Sequence, residues 1–142
     1  MPSVETFVLD THVWLHVALG RGRFAPRVIR RLDAAAAASL LYVAAITPWE
    51  VAMLARAGKV RVAGPTLDWL TRALHATRAA VASFEPAVAV DAVELPAWDH
   101  GDPADRIIVA TARHLAAVLV TRDGAILDYA ARTKAVRVLE PG

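Results

Sequence analysis

The sequence predicts a three-layer α/β domain on a mainly parallel central sheet, and three observations lead there. Short apolar runs alternate with segments whose apolar residues recur at helical spacing, the pattern of repeated strand–helix units. At 142 residues and 56% hydrophobic, the chain has enough material for one packed core, and two domains would be cramped. Acidic residues stand where strands are predicted to end or helices to begin, which in an open parallel sheet is the ligand-binding edge. A single domain over residues 1–142 is the expectation.

Composition narrows the class further. Cysteine is absent, so disulfides and thiolate metal sites are excluded and a reducing, cytoplasmic setting is expected. The start, Met1 to Phe7, lacks the basic-then-apolar pattern of a signal peptide. The most apolar run, Ala34 to Ile46, is too short to span a bilayer, so no membrane association is expected. Sixteen basic residues against fourteen acidic ones give a net charge of +2, and every basic residue except Lys59 and Lys134 is arginine. A GC-rich genome produces such a skew, and so does phosphate binding, which suits the bidentate guanidinium. The dense basic patch of Arg21, Arg23, Arg27, Arg30 and Arg31 fits a solvated helix face, a nucleic-acid contact or a seat for an acidic peptide.

In chain order, Val4 to Leu9 is a first strand that ends at Asp10, and Thr11 to His16 continues as a helix. Asp10 is either the N-cap of that helix or a ligand-binding acid at the sheet edge. His12 and His16 have the i,i+4 spacing of zinc ligands but lack a third ligand nearby, which leaves an ordinary helix face. Arg27 to Ala38 is helical and Ser39 to Ile46 is the second strand. Thr47-Pro48-Trp49-Glu50 reads as a capping box with proline at the first helical position, and Val51, Ala52, Leu54 and Ala55 carry the helix on until Gly58 ends it.

Thr66 is expected to cap a helix carrying Leu67, Trp69, Leu70 and Leu74, and Ala80 to Phe84 is a third strand. Glu85-Pro86 restarts a helix through Val93, although Val88, Val90 and Val93 also fit a strand. A loop over 95–101 leads to Asp102-Pro103-Ala104-Asp105, where Asp102 is the N-cap, Pro103 takes the first helical position and Asp105 lies one turn on. Ile107, Ile108, Ala110, Thr111, Leu115 and Ala116 form the buried stripe of that helix. Ala117 to Thr121 is a strand closed by Arg122 and Asp123, Ala125 to Ala131 a helix, and Val136 to Leu139 the last strand. Trp14, Trp49 and Trp69 are expected as core or interface anchors, and Trp98 falls in a loop.

With right-handed crossovers, strand ends and helix starts share one sheet edge, so Asp10, Glu50, Asp102, Asp105 and Asp123 should converge. Clustered carboxylates repel one another unless a cation neutralises them. Oxygen ligands with no cysteine, and no histidine placed among the acids, select a hard ion such as Mg²⁺ or Mn²⁺ over zinc. Such an ion can polarise a phosphate and activate water for phosphodiester hydrolysis.

Four ordered motifs, Leu9-Asp10-Thr11-His12-Val13-Trp14-Leu15, Pro48-Trp49-Glu50, His100-Gly101-Asp102-Pro103-Ala104-Asp105-Arg106 and Val120-Thr121-Arg122-Asp123, resemble the PIN-domain toxins of VapC type over nearly the whole chain. The resemblance implies a PIN-like fold and a metal-dependent endoribonuclease, the toxin half of a toxin–antitoxin pair. It also implies a VapB-like antitoxin partner, an RNA substrate and a homodimer or a hetero-oligomer with the antitoxin. Matched residue by residue, it puts Asp10, Glu50, Asp105 and Asp123 in the metal site as catalytic acids. Thr11 and Thr121 match polar positions that orient water or a carboxylate, Asp102 orders the helix start, and Arg106 pairs with an acid or meets phosphate. The arginine-rich Leu19 to Arg23 segment matches no firm pattern of the family.

Competing classes fit less well. A response-regulator receiver needs a lysine after a late strand, and none lies near Thr121-Arg122-Asp123. A phosphatase with an aspartate nucleophile wants a second aspartate two residues on, where His12 stands. The alternative that stays open is a catalytically weak PIN-fold module that binds RNA or protein.

Overall fold

The computed structural model describes residues 4–142. The Met1 to Phe7 expectation about a leader therefore falls partly on Met1–Ser3, outside the described residues. The elements are β1 (Phe7–Leu9), α1 (Thr11–Ala18), α2 (Pro26–Ala37), β2 (Leu41–Val43), α3 (Thr47–Arg56), α4 (Thr66–Thr77), β3 (Ala80–Val81), α5 (Pro86–Glu94), α6 (Pro103–His114), β4 (Val118–Val120), α7 (Gly124–Thr133) and β5 (Arg137–Leu139). No helix among the described residues is long and apolar enough to cross a membrane.

All strand pairs are parallel, in the order β3-β2-β1-β4-β5. The chain builds outward from β1 through β2 to β3, then crosses to the other side of β1 for β4 and β5. That reversal makes the carboxyl ends of β1 and β4 a topological switch point, where the two loops part and leave a crevice. Strand alternation assigns the layers. Phe7, Leu9, Val43, Val118 and Val120 face α1, α2 and α4 in a core that contains Trp14, Val28 and Leu70. Val8 and Leu119 face the other way, onto Ile108 and Val109 of α6 and Ile126 and Tyr129 of α7. With β1 and β4 fully apolar and buried on both faces, the sheet is sandwiched as parallel sheets require.

The strands are shorter than the apolar runs. Ser39 to Ile46 shrinks to Leu41–Val43, and Ala80 to Phe84 to a two-residue pairing with β2. The valine-rich 86–94 segment is helical, with Val88 buried and Val90 and Val93 exposed. Gly58 ends α3 at φ +74, a conformation open to it because it has no Cβ. Two expected caps do not form. Ile46 is the N-cap of α3, with helical angles and no side-chain bond, and the Thr47 hydroxyl turns to α1 instead. Pro65, not Thr66, occupies the cap of α4. Three aspartates do cap: Asp10 accepts from the Thr11 N–H, Asp102 from Ala104 and Asp123 from Ile126. Trp14 and Trp69 meet edge-on in the core at 6.0 Å, whereas Trp49 is 57% exposed on α3.

Candidate active site

The short β1 hands its last residue, Leu9, directly to Asp10, which is 6% exposed at the start of α1. Its carboxylate is held from two sides: Oδ1 accepts from the Thr11 N–H at 2.7 Å and Oδ2 from the Thr121 hydroxyl at 2.7 Å. Thr121 follows β4 and is completely buried. Its hydroxyl also accepts the Asp123 N–H at 3.0 Å, so one side chain ties the β4 exit to the β1 exit across the switch point. On the other flank, the Thr11 hydroxyl donates to Glu50 Oε1 at 2.6 Å and lies 2.9 Å from the Thr47 hydroxyl. Having given its single proton to Glu50, Thr11 accepts from Thr47. The threonine expected to cap α3 thus belongs to a relay that fixes Glu50.

Asp105 projects from the first turn of α6, one turn after the Asp102 cap. Together Asp10, Glu50, Asp102, Asp105 and Asp123 line a pocket of about 320 Å³ at the carboxyl edge, completed by His12, Val13, His16 and Arg122. A larger hollow of about 610 Å³ lies at the amino ends of β2 and β3, lined by Leu41, His75, Arg78 and Ala80 among others and by no carboxylate.

The electrostatics follow from this crowding. Burial, followed by the carboxylates of Asp102, Asp123, Asp10 and Glu50, pushes the Asp105 carboxyl up to about 7. Burial also raises Asp10 above the ordinary carboxylate range, against the opposing Thr121 and Thr11 hydrogen bonds. Glu50 is raised by burial, with the Thr11 bond opposing and Asp10 and Asp102 adding to the rise. Acids poised to hold protons in the absence of a cation are acids that a divalent cation stabilises in ionised form.

All four acids matched to the family site reach the pocket, and so does Asp102, expected at the same edge as the helix cap. Arg106 does not. Its guanidinium lies over the Trp98 ring at 5.7 Å and near the Ala92 and Val93 carbonyls at 3.4 Å, so it joins α6 to α5 and pairs with no acid among the described residues. His12 and His16 lie on the face of α1 that borders the pocket, and neither joins a cluster of potential metal ligands among the described residues.

The expectation that no histidine stands among the acids is also overturned. His100 Nε2 is 3.2 Å from Asp105 Oδ2, and the ligand atoms of His100, Asp105 and Asp123 lie within 4.8 Å of one another. Despite that distance, the buried Nε2 lacks hydrogen-bond geometry to Asp105 and has no hydrogen-bond partner among the described residues. A pocket of carboxylates with one orphaned ring nitrogen fits a divalent cation. The sequence signal was position: His100 lies just before a helix start that itself belongs to the acidic edge.

A parallel five-stranded sheet with acids gathered at its switch point defines the class, and the chain belongs to the PIN-domain family, whose profile matches residues 7–132. It is 37% identical to Ribonuclease VapC22 of Mycobacterium tuberculosis (strain ATCC 25618 / H37Rv) over 123 residues, 84% of this chain and 88% of that protein. Among solved structures it resembles VapBC2 from Rickettsia felis bound to a DNA fragment from their promoter, with a TM-score of 0.64 and 17% identity over 95% of this chain and 98% of the other. It also resembles FitAcB from Neisseria gonorrhoeae, with a TM-score of 0.56 and 25% identity over 96% and 98%.

Proposed function

We propose that the protein is a metal-dependent endoribonuclease that hydrolyses RNA phosphodiester bonds, the toxin of a toxin–antitoxin pair that acts in the cytoplasm. The observation that carries this reading is the convergence of Asp10, Glu50, Asp105 and Asp123 on one pocket in a chain homologous to a ribonuclease. In this reading residues 1–142 form one domain, and the four acids hold Mg²⁺ or Mn²⁺ as the catalytic set. The cation, when bound, neutralises the scissile phosphate and lowers the pKa of an attacking water.

The chain's own residues prepare that chemistry. Thr121 and Thr11 hold Asp10 and Glu50 in fixed rotamers, so that the acids do not have to reorganise when substrate arrives. Asp105 and Asp123 stand on helix starts, rigid supports for ligands. Arg122 at the pocket rim stacks on Phe24 at 5.1 Å and donates to the Arg23 carbonyl, which places a fixed positive charge where an RNA backbone would approach an otherwise repulsive acidic mouth. The partner is a VapB-like antitoxin, as the VapBC complexes among the structural relatives suggest, within a homodimer or a hetero-oligomer with that antitoxin. The test is cleavage of a structured RNA by purified protein with Mg²⁺ or Mn²⁺, against Asp10→Asn and Asp105→Asn. Equal cleavage by the folded variants, or undiminished cleavage in chelator, contradicts the proposal; metal binding without any cleavage favours the weak RNA- or protein-binding module.

A further inference from the structure

His100 is held by a stack that owes nothing to Asp105. Its ring lies against Trp98 at 4.5 Å and 29°, and Trp98 meets Tyr129 of α7 edge-on at 4.8 Å. The Tyr129 hydroxyl donates to the Pro96 carbonyl at 2.7 Å, the Trp98 indole N–H donates to the His100 carbonyl, and Arg106 covers the indole. The loop before α6 is thereby pinned to α6 and α7, with Nε2 of the imidazole turned towards Asp105 and Asp123.

The pinned edge presents Nε2 without a hydrogen-bond partner, a state that costs free energy unless something else occupies that nitrogen. The opposite nitrogen, Nδ1, has only the Asp102 N–H at 3.5 Å on the solvent side. Water can satisfy that N–H when Nδ1 carries the ring proton, which leaves the Nε2 lone pair free.

On the metal-dependent reading above, we infer that His100 is a metal ligand and that His100, Asp105 and Asp123 form a mixed nitrogen and oxygen site that favours Mn²⁺ over Mg²⁺. Mg²⁺ takes oxygen ligands and parts with its waters reluctantly, whereas imidazole strengthens binding of transition-series ions. Asp10 and Glu50 line the same pocket but stand outside this trio, where their threonine partners fix them.

The experiment uses metal-stripped full chain, Mn²⁺ as the probe, and His100→Gln with its fold checked by circular dichroism. Pulsed electron paramagnetic resonance of bound Mn²⁺ reads nitrogen coupling, and calorimetry reads Mn²⁺ and Mg²⁺ affinity. The expected result is imidazole nitrogen modulation in the wild type that disappears in H100Q. Mn²⁺ binding there weakens by about tenfold or more, while Mg²⁺ binding changes much less. Mn²⁺ bound by the wild type without nitrogen modulation, or modulation that persists in H100Q, overturns the role of His100 and leaves metal dependence standing. A wild type that binds neither ion overturns both.

Discussion

Asp105→Asn in metal-free protein offers a thermodynamic test of the site that needs no substrate. Asp105 is only 15% exposed and its carboxyl is raised from 3.8 to about 7 in the folded chain. Between those two values the folded state binds more protons than the unfolded one, so stability falls as pH rises through that window. At about 1.4 kcal/mol per pK unit the full shift has a ceiling of about 4 kcal/mol, of which about 1.5 is already spent at pH 5. Asparagine carries no charge to expel. Its advantage over aspartate should therefore grow by up to about 3 kcal/mol from pH 5 to pH 8, large for a domain whose total stability is about 5–15 kcal/mol. Urea unfolding in EDTA at both pH values measures this difference. An Asp105→Asn effect that is the same at pH 5 and pH 8 refutes the reasoning, because it means that burial and the neighbouring acids do not hold the carboxyl protonated.

The other predictions concern the ion, the threonine tie and the arginine. Adding Mn²⁺ should raise the unfolding midpoint of the wild type at pH 8 and flatten its pH dependence, while Asp105→Asn responds less; thermal melts with and without the ion check this. Thr121→Val removes the donor to buried Asp10 and the acceptor of the part-buried Asp123 N–H, at a cost of about 1–3 kcal/mol in urea unfolding and with a drop in kcat greater than any change in KM. Arg106→Met should lower stability in urea unfolding and, by loosening the Trp98 stack that holds His100, reduce RNA cleavage more at limiting than at saturating Mn²⁺.

How far the sequence carried depended on the range of the interaction. The α/β alternation, the Asp102 cap, the cap alternative for Asp10 and the helical alternative from Glu85-Pro86 through Val93 rest on local periodicity and cap chemistry, and the structure contains each of them. Thr47 shows where local reasoning ends. The capping box was the best local use of Thr47 and Glu50, but Thr11, thirty-six residues earlier, offers a buried hydroxyl that outcompetes it. The acids could be foreseen because chain reversals in a parallel sheet fix an edge without any knowledge of side-chain contacts. His100 was marked only by its place before the start of α6; its approach to Asp105 depends on a loop path set by Trp98, Tyr129 and Arg106 packing together, a three-element contact without sequence periodicity. Arg106 misled for the same reason: its place next to Asp105 in sequence says nothing about which side of α6 it leaves from.

The central claim is that the converged acids make a metal-dependent ribonuclease. The most direct measurement is single-turnover cleavage of a structured RNA by wild type and Asp10→Asn, each with Mn²⁺ and with EDTA. Cleavage is expected from the wild type with Mn²⁺ alone, with a loss on the order of 10²–10³-fold in the folded variant, the size expected when one preorganised charge-stabilising group is removed. Wild-type rates retained in EDTA or in Asp10→Asn would contradict the claim.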